Sequence, residues 1–456
     1  MTLTPQGAAA FAELVTSELG EGIVSTDPAL ILKCSSDWSR MSPILQEKLP
    51  PGRFTADLVV RPTSAEQVPA FLKLAFEHDV PVVPRGAGTG NYGQATPFTG
   101  GAVLDLRGLD AIVEVGDGYV VAQAGAKLTA VDEAVRASGQ DLWMFPSTKG
   151  STVGGFIAGG SAGAGSIEFG TTADGFVAAM TIAPCDGSGE TFHVEGPDTI
   201  PYVHTYGVTG IATEITLRTS PAREWVAMYA SFTDYDKAIA VHRALPGLSV
   251  LPRLASLDEP GLVPTLPAAL PLDATRTSLR IILEASTVEE AADLVVEGSG
   301  EVVAVFEDYA ECDRLSSMSY NHPVYLLQQA GHPCFHVEVG GLPLWDAPEL
   351  VRTVYPGAMI HMELRVEAPM AMYVADYESE AQVLAGYPRL DALGIGFHSP
   401  HQWAVDRHVA EAIATVPTTD PKGLLNPGKL DRDAVVPPPA DTRNEVLIAR
   451  TTVLSS

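Results

Sequence analysis

The stretch Val82-Val-Pro-Arg-Gly86-Ala-Gly88-Thr-Gly90-Asn-Tyr-Gly93-Gln-Ala-Thr-Pro97-Phe-Thr-Gly100-Gly101-Ala-Val-Leu-Asp-Leu106 decides how this chain is read. It contains Gly88-x-Gly90-x-x-Gly93 directly after a β-branched run, which is the spelling of a Rossmann dinucleotide loop. A Rossmann loop must open a helix, because the pyrophosphate rests on that helix's N-terminus. Here Pro97, Gly100 and Gly101 oppose a helix, and Ala102–Leu106 reads as a second strand. No acidic residue is convincingly placed about 20 positions on, where one would hold a ribose. What remains is a glycine-rich loop between strands, whose uncovered backbone N–H groups form a nest for a diphosphate without a helix dipole.

Working outward, "ADLVVRPTSAEQVPAFLKLAFEHDVPVVPRG" reads strand, helix, strand. Ser64 and Gln67 spell a capping box, and Val68, Phe71, Leu72 and Ala75 form one helical stripe. Strands follow in "GAVLDL", "AIVEV" and "YVVAQAG", then a helix through Leu128, Val131 and Val135 that ends at Gly139. Residues 146–175 are rich in Gly, Ala, Ser and Thr but carry Val153, Phe156, Ile157, Ile167 and Phe169. That mixture suits backbone held close to a ligand better than a flexible linker. "FVAAMTIAPCDGSGETFHV" reads as a hairpin, and "GIATEITLRTSP" as a half-buried strand.

After Pro221 the texture changes. "EWVAMYASFTDYDKAIAVHRAL" and "TSLRIILEASTVEEAADLVVEG" each read strand, turn, helix, which places a second α+β unit at about 225–385. The Pro/Leu-rich "DEPGLVPTLPAALPLDATRT" between them reads as a surface excursion, and Asn444–Ser456 as a loosely attached tail.

Bulk composition sets limits. At 456 residues with 46% hydrophobic and 18% charged, two or three compact domains are expected. The acidic residues outnumber the basic ones 56 to 28, a formal charge of −28, which disfavours nucleic acid and anionic lipid as partners. No segment reaches the roughly 18 apolar residues of a membrane span. The start, "MTLTPQGAAAFAELVTSEL", has no basic n-region and reads as an amphipathic helix opened by Thr4 and Pro5, so a cytoplasmic location is expected. The four cysteines show no CxxC spacing and are expected as buried thiols.

Taken in order, "PRGAGTG", "GGAVLDL", "STVGGFIAGGSAGAGSIEFGTTADGFV", "YGVTGIATEITL" and "DPKGLLNPGKL" resemble the FAD-binding proteins of the vanillyl-alcohol oxidase type, in their glycolate oxidase/D-lactate dehydrogenase-like branch. The resemblance implies an α+β protein: a two-subdomain PCMH-type FAD-binding domain over 1–224, a ferredoxin-like substrate cap over 225–389, and a C-terminal return over 390–456. It implies that Arg85, Gly86, Ala87, Gly88, Thr89 and Gly90 hold the pyrophosphate. Pro146, Ser147, Thr152, Val153, Gly154, Gly155 and Ala158 would line the flavin and ribityl chain, Ile211 the adenine end, and Asn426 would approach from the return. Thr89 stands where covalent flavoproteins of the family often carry His, so FAD is expected to be non-covalent. The "HxGDGNxH" and "GEHG" stretches of metal-dependent 2-hydroxy-acid dehydrogenases are absent.

For the chemistry, His398 and His401 in "GFHSPHQW" are candidate general bases, His401 the preferred one. In "IHMELRVE", His361, Glu363 and Arg365 alternate and so share one strand face, either solvated or lining a pocket. In a pocket, Arg365 would clamp a carboxylate while His361 and Glu363 relay a proton. With His398 or His401 they also offer a donor set for a divalent metal, which spacing alone leaves open. Tyr320, Asn321 and His322 are further site candidates, and His336 reads as a strand histidine packed in its sheet. The function expected is removal of hydride from a small hydroxy acid or alcohol, with electrons passed to oxygen, a quinone or a redox protein. An oxidase of an aromatic alcohol, phenol or biosynthetic intermediate is the alternative, and a flavin-bound electron-transfer subunit is a third reading.

Overall fold

The computed structural model describes residues 4–433. The expectation for Asn444–Ser456 therefore lies outside the described residues. Among the described residues three β-sheets organise the fold, with strand order set by a few long-range pairings.

The first sheet runs Val24–Ser25, Leu58–Val60, Ala102–Asp105, Val82–Arg85, and its last three strands are parallel. The helix Gln67–Glu77 makes the crossover, burying Val68, Phe71, Leu72 and Ala75 against the sheet. Its N-terminus uses half of the expected capping box: the Gln67 side chain accepts from the backbone N–H of Ser64 at 3.2 Å. The opening helix Pro5–Leu19, capped by Thr4, lays Phe11 against Phe71. No helix lies between Arg85 and Ala102, so the two parallel neighbours are joined by bare loop. The chain returns beside this sheet near its end, where the Val82 N–H donates to Leu424 O and the Asn426 N–H to Val82 O, each at 2.8 Å.

The second sheet is antiparallel, in the order Ile112–Gly116, Tyr119–Gln123, Ile211–Pro221, Val177–Ala183, Phe192–Glu195, with Gln140–Leu142 on the far end of Ile211–Pro221. The helix Leu128–Ala137 closes its core, followed by Gly139 at φ 78°.

Eight antiparallel strands form the third sheet: Glu301–Phe306, Trp225–Phe232, Thr277–Glu284, Leu254–Asp258, Met359–Glu363, Met370–Asp376, Cys334–Gly340 and Gly396–His398. The first four have ferredoxin-like order, with helices Tyr235–Ala244 and Val288–Glu297 as crossovers. The other four extend the same sheet, so it reaches His398, beyond the expected boundary at 389. One face is apolar, with Leu257, Ile281, Val337, Ile360 and Tyr373 packed in a single core. The opposite face carries a row of polar residues interrupted by Met372 and built by register: Ser278 pairs with Asp258, Asp258 with His361, His361 with Met372, Met372 with Glu338, and Glu338 with His398. That face turns toward the glycine-rich loops. The Pro/Leu-rich excursion is not a free surface loop, because Leu262, Val263, Leu266 and Leu270 are buried in the cap.

Among the described residues no helix is long and apolar enough to cross a membrane. All four cysteines are buried free thiols.

Candidate functional site

The loop after Val82–Arg85 meets the second glycine-rich segment face to face. A Cβ on Gly86 would run into the Thr152 hydroxyl, and one on Gly88, which sits at φ 73°, into the Arg85 guanidinium. Thr152 caps the short helix Val153–Gly159 by accepting from the Gly155 N–H at 3.2 Å. Gly154 packs on Ala124, where a Cβ would stand 2.8 Å from the alanine methyl. Glycine is required here for close approach, not for flexibility. Arg85 braces the loop, donating to Ser36 O at 2.6 Å and Cys34 O at 3.3 Å. Burial pulls its pKa below the ordinary value.

Between these stretches lies a cavity of about 400 Å³. Arg85, Gly86, Ala87, Gly88, Thr89 and Gly90 line it, as do Pro146, Ser147, Thr152, Gly154, Gly155, Ala158 and Ile211. Two expected cofactor residues stand elsewhere. Val153 is fully buried in the core of the second sheet, its N–H donated to Ala126 O. Asn426, at φ 41°, donates its side-chain amide to Gln94 O and Tyr206 O at 2.9 Å each, tying the C-terminal return to the cradle from behind.

The cavity continues to the polar face of the cap sheet, where His398, Glu338, Tyr320, Asn321, His322 and Arg407 line it. His398 lies between Glu338, 3.2 Å from Nδ1, and Asp406, 2.7 Å from Nε2. Burial alone would lower its pKa; Asp406 and Glu338 outweigh that and push it up to about 10, so the imidazole is charged. Burial would likewise raise Glu338, yet His398 holds it well below the usual carboxylate range. The Tyr92 hydroxyl donates to Glu338, and its ring meets the His398 ring edge-on at 5.2 Å. Burial, then Glu338, drives the Tyr92 phenol well above its ordinary pKa, so it remains a proton donor. Two other cavity histidines are neutral. Burial pushes His322 down to about 4 and His204 down to about 3. His322 Nε2 is 3.2 Å from Thr148 Oγ1, and His204 Nδ1 is 3.1 Å from Gly160 O.

Of the five expected catalytic side chains, only His398 reaches the cavity. His361 and Glu363 do share one face, but a closed network occupies them. His361 bridges Asp258 at 2.7 Å and Glu363 at 2.8 Å, and Arg280 donates to Asp258 at 2.8 Å. Despite burial, Asp258 raises the His361 pKa to about 9, so that imidazole already holds its proton. Glu363 instead accepts the backbone N–H of Tyr320 at 2.8 Å, steadying the Tyr320–His322 turn from behind. Arg365 lies past the end of that strand and off the cavity wall. His401 is packed beside Phe335 and His336, with Nδ1 2.7 Å from Ser42 Oγ, and burial pushes it down to about 3. His336 is buried in its strand. Among the described residues no group of three or more His, Cys, Asp or Glu is disposed to hold a metal, so the donor set drawn from His361, Glu363, His398 and His401 is not assembled.

The sequence reading missed Tyr92, Glu338, Asp406, Arg407 and His204. A signal existed for Glu338: in "CFHVEV" it alternates with His336, so two polar groups interrupt one face of an apolar strand.

Residues 56–193 match the FAD binding domain family. The chain carries an FAD-binding domain. That match covers both glycine-rich stretches. Glycolate oxidase subunit GlcD of Bacillus subtilis is 28% identical over 219 residues, covering 45% of this chain and 46% of that one. D-lactate dehydrogenase of Archaeoglobus fulgidus is 30% identical over 172 residues, 36% of this chain and 39% of that one. An uncharacterized FAD-linked oxidoreductase of Mycobacterium tuberculosis is 27% identical over 192 residues, 40% of this chain and 41% of that one. The matched stretches thus span less than half the length of these relatives. A solved alkyldihydroxyacetonephosphate synthase superposes with a TM-score of 0.74 at 16% identity, covering 92% of this chain and 86% of that one, which is a likeness of fold.

The cradle fits the dinucleotide: main chain stripped of side-chain bulk lines the cavity at Gly86, Gly88, Gly90, Gly154 and Gly155, and the loops close on each other only because Gly86 and Gly88 carry no Cβ.

Proposed function

We propose that this protein is an FAD-dependent oxidoreductase that takes a hydride from a hydroxy acid or alcohol and passes the electrons to oxygen or another acceptor. One observation supports it above the rest: a single cavity runs from the Gly86–Gly90 and Thr152–Ala158 cradle to the charged face of the cap. FAD, held without a covalent bond beside Thr89, would supply the two-electron acceptor. The chain's own residues bind the substrate and take one proton.

The proton acceptor is His322. It is neutral at working pH, lies on the cavity wall, and is oriented by Thr148. His398 and His361 both hold their protons and serve instead to fix charge. Arg407 meets a substrate carboxylate or alkoxide on the same wall; its Nε is buried with no hydrogen-bond partner among the described residues.

Anaerobic mixing of the FAD-loaded protein with a panel of hydroxy acids and alcohols tests this, read as loss of flavin absorbance. His322→Gln should slow flavin reduction by about 10²-fold or more while leaving product-analogue binding largely intact. No bleaching by any compound would remove the assignment, leaving an electron-transfer subunit as the reading.

A further inference from the structure

The cap side of the cavity is divided. Beside the charged cluster at Glu338 and His398 stands a wall of Trp38, Met41, Tyr325, Met370 and Met372. Met41, Met370 and Met372 belong to one apolar cluster against which Tyr325 packs. Trp38 meets Tyr325 edge-on, with ring centroids 5.5 Å apart. Register sets the border: Met372 is the direct cross-strand partner of Glu338, so apolar wall gives way to charge within one strand spacing.

This wall is held from both sides. The Trp38 N–H donates to Gly90 O at 2.7 Å, inside the pyrophosphate loop. The Gln328 amide donates to Met41 O at 2.8 Å, from the cap. Ser42 continues the anchorage at His401. An apolar surface fixed to both halves of the site is built to receive a ligand group, and a substrate the size of glycolate has no atoms to place against it. Methionines suit a substituent of irregular outline, and the paired rings of Trp38 and Tyr325 suit a flat one. On the opposite border, Arg407 Nε and Asn321 Oδ1 are buried without partners among the described residues, ready for a polar head.

We propose that the substrate is a hydroxy acid or alcohol bearing an aromatic or branched apolar substituent, seated against Trp38, Met41, Tyr325, Met370 and Met372 with its polar head at Arg407 and Asn321. This rests on the oxidoreductase reading, and its test is independent of turnover. The FAD-loaded protein is titrated with acetate, isovalerate and phenylacetate, each non-oxidisable, and binding is read from the perturbed flavin absorbance. Phenylacetate should bind about tenfold tighter than acetate or better, as burial of a phenyl group dictates. Trp38→Ala and Met370→Ala should shrink that ratio to about threefold or less while FAD content stays at the wild-type level. Equal binding of acetate and phenylacetate by the wild type would overturn the proposal without recourse to any variant. So would variants that bind FAD more weakly yet, once saturated with added FAD, keep the wild-type ratio, since the wall would then hold the coenzyme. Tight phenylacetate binding with no bleaching by any hydroxy acid or alcohol would uphold the apolar subsite and defeat the oxidoreductase reading alone.

Discussion

Removing the charged imidazole at position 398 should change how stability depends on pH, and the sign follows from its surroundings. The folded-state pKa of His398 is raised to about 10 from an ordinary 6.5. Its stabilising contribution is therefore fully present below pH 6.5 and is lost as pH rises through about 10. At about 1.4 kcal/mol per tenfold change in proton affinity, the whole effect is on the order of 4–5 kcal/mol. That is an upper figure, because Glu338 and Asp406 are desolvated in the same contacts. In His398→Gln the amide can satisfy one carboxylate, and Asp406 keeps its bond from Gln402. Melting temperatures of the wild type and His398→Gln, each saturated with FAD, would be compared from pH 6 to pH 9.5. At about 1 °C per kcal/mol for a chain of this length, the gap should narrow by roughly 2–4 °C across that window. Parallel curves would refute the reasoning, since they would mean that His398 gains no proton affinity on folding.

Two further outcomes follow from the geometry. Gly88→Ala places a side chain at φ 73° against the Arg85 guanidinium, so FAD affinity of the apoprotein should fall by about tenfold or more in a fluorescence titration, and an unchanged affinity would reject the cradle. Arg280→Met leaves Asp258 with His361 as its sole cationic partner in a fully buried site, and should cost about 3–5 kcal/mol in urea unfolding; a loss below about 1 kcal/mol would show that His361 balances Asp258 unaided.

The non-helical glycine-rich loop was legible because its logic is local. Pro97, Gly100 and Gly101 rule out a helix, and the strand Ala102–Asp105 follows where the pattern puts it. The alternation of His361 and Glu363 was legible in the same way, but whether that face met solvent, ligand or protein was not. Asp258 and Arg280 decide it, and they lie on strands about 100 and 80 positions earlier, a spacing that no local period encodes. The cluster at His398 failed to show for the same reason. Tyr92, Glu338 and Asp406 come from a loop, the next-to-last strand of the third sheet and the C-terminal return, and only the register of Glu338 with His398 unites them. The Pro/Leu-rich excursion misled because proline suggested exposure while its leucines, at 262, 266 and 270, were covering the cap.

The cavity wall draws on stations spread from Asp37 to Arg407, with long intervals of chain between them. Each sheet can consolidate from its own hairpins and crossovers, but the space they enclose exists only after all three have docked, so it is the last part of the molecule to become rigid. A coenzyme that recognises just this docked arrangement acts as a rivet, adding RT ln(1 + [FAD]/Kd) to the finished state and nothing to its forerunners. Cellular flavin supply would then set how much of this protein survives as well as how fast it turns over.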